Sequence, residues 1–108
     1  MKAQKQMEEL DERLFELYTV LTEYSHGNQE AHALRRKTEE VLAMLRQEAE
    51  QPDRESLVRI KQEIKNTLFS PQGGLDEVTF WRDDYWERQK INEPIKRLTK
   101  ELKNLTEI

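Results

Sequence analysis

With 108 residues, 22 acidic and 18 basic side chains and a net charge of −4, the chain has room for one domain with a modest core. It lacks the basic excess that a phosphate-neutralising surface needs. No cysteine is present, which excludes disulfides, thiolate metal sites and cysteine nucleophiles together.

Charged residues make up 37% of the sequence and hydrophobic ones 35%, a balance near the range of disordered chains. Against disorder stand a total of three glycines and three prolines and a strict period in the apolar residues. No apolar run approaches the roughly 20 residues that cross a bilayer, and the opening MKAQKQMEEL lacks the apolar centre of a signal peptide. A cytoplasmic protein without membrane contact is expected.

In chain order, the first element is marked by Met7, Leu10, Leu14, Leu17, Leu21 and Tyr24. They recur at steps of three and four, which lines one face of a helix. The first helix is therefore expected from about residue 4 to 25. The SHGN sequence ends it, with Gly27 suited to a left-handed C-terminal position and Asn28 suited to cap the next helix. A second helix, near residues 29–50, carries Ala31, Leu34, Thr38, Val41, Leu42, Leu45 and Ala49. Pro52 cannot continue it, and Asp53 is a good N-cap for a third helix near 54–69 built on Leu57, Ile60, Ile64 and Leu68.

The longest break is FSPQGGLDE, rich in turn pairs. Asp76 there is a candidate cap for a fourth helix reaching residue 106, with Leu75 stapled against Phe80. This last helix has an internal conflict. At about 100° per residue, Ile91, Ile95, Leu98, Leu102 and Leu105 share one face, whereas Val78, Trp81 and Tyr85 lie roughly a quarter turn or more away. Extending the C-terminal stripe backward would put Asp84 and Arg88 on the core side. Pro94 removes a hydrogen bond and clashes with the carbonyl of Lys90, so a kink or break at Asn92 to Pro94 is expected to absorb the change of phase. In that arrangement Trp81 and Tyr85 belong to the core. Trp86 is the aromatic that packing explains least: it either stands exposed or packs beneath the SPQGG loop or on another helix. The expected fold class is all-α: an antiparallel up-and-down bundle of four helices forming one domain over 1–108, the last helix kinked or broken near Pro94.

Motifs for chemistry are sparse. Glu23 and His26 have the E-x-x-H spacing of di-iron bundles, but no second copy exists, and Gln29 stands where His32 would need its glutamate. The acidic run Glu8, Glu9, Asp11 and Glu12 resembles the E-E-x-x-E element by which all-α nucleotide pyrophosphohydrolases hold magnesium; the matching E-x-x-D is missing, because Glu39-Glu40 leads into VLAML. Asp83 and Asp84 point about 100° apart on a helix and do not converge on one proton. No serine has a histidine placed by a recognisable motif, and PQGGL lacks the lysine of a phosphate loop. No catalytic residue, metal site or cofactor is therefore expected.

What remains is contact. The expected role is a small non-catalytic interaction protein, a regulator, inhibitor or immunity-type partner of bacterial style, binding another protein through Arg82, Asp83, Trp86, Gly73 and Gly74. A partly exposed tryptophan is a favoured anchor, since it buries much area with little loss of entropy. The 3-4 seam of the first helix offers a route to a homodimer. The alternative is a nucleic-acid-associated regulator using Lys96, Arg97, Lys100 and Lys103, which lie opposite the leucine stripe of the last helix; weak overall basicity makes nucleic acid the lesser expectation.

Overall fold

The computed structural model describes residues 2–24, 28–70, 74–75 and 79–107. Among the described residues four α-helices succeed one another: α1 (Lys2–Tyr24), α2 (Gln29–Glu48), α3 (Arg54–Leu68) and α4 (Tyr85–Leu105). No strand occurs among the described residues. Gly27, His26, Gly73 and Asp76 lie outside them.

The starts of three helices are fixed by side chains that satisfy otherwise orphaned backbone donors. Asn28 accepts the Ala31 N–H at 3.0 Å, Asp53 that of Ser56 at 2.7 Å, and Asp84 that of Glu87 at 3.2 Å. The Ser56 N–H bond also holds the Asp53 carboxyl below its ordinary range.

The helices run alternately up and down. Arg46, late in α2, donates to Asp11, early in α1, at 3.0 Å; Arg35, early in α2, donates to Thr22, late in α1, at 3.0 Å. Across α1 and α4 the same reversal appears: Arg13 donates to Glu101 at 3.0 Å, while the Tyr24 ring packs 5.2 Å from that of Phe80. Helix α1 is the element on which the other three pack. Its stripe of Met7, Leu10, Leu14, Leu17 and Leu21 is buried in full, meeting Leu34, Val41 and Leu45 of α2, Ile60 and Ile64 of α3, and Ile95, Leu98 and Leu102 of α4 in one core. That burial is what holds helices of this polarity together, since a helix in water gains most of its stability from packing its apolar face. It also uses up the seam that self-association needs; a second copy would have to displace the core to reach it.

The first three helices match the expected spans to within two residues. The fourth does not. It begins at Tyr85 rather than Asp76, and it continues through Pro94 without interruption. The quarter-turn conflict is therefore resolved ahead of the helix, where residues 79–84 are non-helical. Asp84, which a longer helix would have driven toward the core, instead becomes the cap, with Glu87 at the third helical position. Pro94 donates nothing to the Lys90 carbonyl, but the flanking turns are held by that cap on one side and by buried Ile95, Leu98 and Leu102 on the other.

Leu75 and Phe80 are both buried, at 2% exposure each. They enter the core from the connecting segment and not as a staple on the first turn of α4. Between them and α3 the chain passes very close to itself: a Cβ on Gly74 would lie 2.5 Å from the Ser70 carbonyl oxygen and 3.0 Å from that of Leu68. Only glycine fits that approach without a shift of the backbone.

Candidate functional site

The segment from Phe80 to Arg88 is built outward from one buried amide. Asn92, two turns into α4, is 5% exposed. Its Oδ1 accepts the Phe80 N–H at 2.8 Å, and its Nδ2 donates to the Phe80 carbonyl at 2.8 Å. The carboxamide thus pairs with the Phe80 backbone much as a neighbouring strand would. The Nδ2 group donates further to the Arg88 carbonyl at 2.8 Å, which ties the clamp to its own helix. Asn92, which lies where a kink or break is expected, thus fastens the preceding loop to the helix.

With Phe80 turned inward and clamped, its neighbours turn out. Trp81 is 63% exposed, Tyr85 56% and Trp86 76%. The expectation that Trp81 and Tyr85 are core residues is therefore corrected: it assumed a helix from residue 76, whereas Trp81 sits on non-helical chain and Tyr85 opens the helix. Trp86, for which exposure and packing beneath the loop are both open from the sequence, is left uncovered.

These rings are organised against one another. Arg88 places its guanidinium 3.9 Å from the Trp81 ring centre and 5.9 Å from that of Tyr85, so the cation bridges two rings, an arrangement that a π-face favours. Tyr85 and Trp86 meet edge to face at 5.3 Å. The Trp81 indole N–H donates to Asp83 at 3.3 Å, and Arg82 donates to the Trp81 carbonyl at 2.7 Å. Arg82 and Asp83 are both exposed and rim the rings. Gly74 is buried and offers a partner little surface; its smallness serves the close chain approach described above.

The four cations of the expected basic face, Lys96, Arg97, Lys100 and Lys103, divide. Arg97 is bound to Glu16 of α1 and to Glu101, and the Glu16 hydrogen bond raises its pKa above the ordinary guanidinium value. Lys96, Lys100 and Lys103 stand along a cleft of about 440 Å³, over Leu75, Ile95 and Thr99. Lys103 also lies 5.6 Å from the Phe69 ring centre. Within the acidic run of α1, Asp11 pairs with Arg46 and Glu12 with Arg13, and among the described residues no group of three or more His, Asp or Glu side chains is placed to hold a metal ion. No described helix is long and apolar enough to cross a membrane.

The role of Asn92 escapes the sequence, because nothing in its neighbourhood marks a residue that bonds twelve positions back. The start of α4 is visible there: Asp84 followed by Glu87 has the spacing of a capping box. Compared with protein families, with curated proteins and with solved structures, the chain finds no match.

Proposed function

We propose that this protein is a small non-catalytic interaction module, a regulator, inhibitor or immunity-type protein, that captures another protein through Trp81, Tyr85 and Trp86 with Arg82 and Asp83 at the rim. The observation that carries the reading is the exposure of three large aromatic side chains within six residues. An isolated exposed apolar residue needs no explanation, whereas a cluster on a small polar protein marks a contact surface. Aromatic anchors contribute most at the centre of an interface when charged groups surround them and exclude water, which is the place Arg82 and Asp83 take here. The segment is also held in advance by Asn92, so little ordering entropy opposes binding. A cytoplasmic location, with no membrane partner, belongs to the same proposal.

Affinity capture from the native cell followed by mass spectrometry tests it. The wild-type protein should retain a partner that Trp86→Ala, folded to the same helical content, loses. A partner held equally by both proteins would remove the aromatic cluster from the interface.

A further inference from the structure

We propose that the outer face of α4 is one continuous recognition strip for an acidic helical segment of the partner, with an apolar side chain of that segment on Tyr85 and Trp86 and its carboxylates on Lys96, Lys100 and Lys103. The inference rests on the interaction reading above and adds the chemistry of the partner.

The strip is a consequence of helix geometry. At about 100° per residue, Tyr85, Gln89, Lys96, Lys100 and Lys103 fall within roughly 60° of one another, and Trp86 borders them. From Tyr85 to Lys103 the strip is about 27 Å long at 1.5 Å per residue. Its aromatic end and its basic end are thus two parts of one surface. Lysines 96, 100 and 103 are exposed and step by four and then three, the spacing at which acidic residues on a facing helix present themselves.

Helix α4 also sorts its cations. Arg97 is committed to Glu16 and Glu101 inside the molecule, while neither Lys96 nor Lys100 forms a salt bridge among the described residues. The cleft beside the lysines leaves room for the side chains of a facing helix. A protein partner suits the strip better than nucleic acid, because Glu93 borders it and the chain as a whole carries −4. A row of phosphates would meet that carboxylate, whereas a peptide can answer it with a cation.

The test uses two synthetic helical peptides, each with a leucine near one end and alike except that three glutamates at successive steps of four and three residues in one are lysines in the other. Each is titrated into the full chain at low salt, read by tryptophan emission and by amide shifts of Tyr85, Trp86, Lys96 and Lys100. The acidic peptide should bind at least tenfold more tightly than the basic one and should weaken as salt is raised. Lys96→Glu with Lys100→Glu should lower its affinity by about tenfold, two rim charges being reversed together, while arginine at both positions should preserve it. Equal affinity for the two peptides, no binding of the acidic one, or tighter binding of a duplex DNA probe would each overturn the inference. If the basic peptide binds better and shifts Trp86, the aromatic surface stands and only the acidic partner falls.

Discussion

The hairpin of α1 and α2 and the segment from Phe80 to Arg88 use apolar side chains in opposite ways. In the hairpin each leucine at the 3-4 spacing is consumed by the core, and the outer faces are tied by charged pairs such as Arg46 with Asp11. In the segment the largest side chains of the chain, both tryptophans, are left in water while the backbone beneath them is fastened by Asn92. A polar residue holds the structure there and the tryptophans do not. Aromatic content is thus no guide to burial where the backbone leaves its helical period.

Four changes sharpen that contrast, from the largest expected effect to the smallest. Leu14→Ala, at the centre of α1 and fully buried, should cost about 2–5 kcal/mol in urea unfolding, the range of leucine truncations that leave a cavity. Asn92→Ala should cost about 1–3 kcal/mol by leaving the Phe80 N–H and carbonyl without partners, and should change the amide shifts of residues 79–84 while sparing α2. A loss below about half a kcal/mol would mean that the clamp does not hold the segment. Trp86→Ala should leave stability within about 0.5 kcal/mol of wild type, as exposed substitutions do.

The smallest effect concerns acid. The Asp53 carboxyl is held low chiefly by the Ser56 N–H, and the Glu48 carboxyl by Ser56 and then Arg59. Both folded values lie below the unfolded ones, so their contribution is present in full above the unfolded carboxylate pKa and fades as pH falls through the folded values. Carboxyl titration by NMR should show both below the ordinary range, with a modest weakening of the α2–α3 corner in that acidic window.

Much of this fold is legible from spacing alone. Leucine periodicity locates α1, α2 and α3, and Asn28 and Asp53 cap where their residue types suggest. The fourth helix is harder to read, because two aspartates compete to cap it and the proline draws the conflict of phase to itself. Once Phe80 is clamped by Asn92, the conflict vanishes: Trp81 never joins the helix, and Asp84 has an exposed post at its start. The angle of Trp86 shows only that it points away from the core stripe; whether it stands in water or packs under the loop is decided by the fold, which leaves it exposed. The exposure of Trp81 and Tyr85 is not readable either, because it depends on a hydrogen bond between residues twelve apart, which no local pattern encodes.

The central claim is that both tryptophans stand in water in the folded, unbound protein. Intrinsic tryptophan emission, with acrylamide quenching of single-tryptophan variants Trp81→Phe and Trp86→Phe, tests it directly. Folded protein should emit nearly as far to the red as urea-unfolded protein, each indole being quenched almost as readily as in the unfolded chain. Blue-shifted emission with strong protection from acrylamide in the monomer would place the rings in the core and contradict the account.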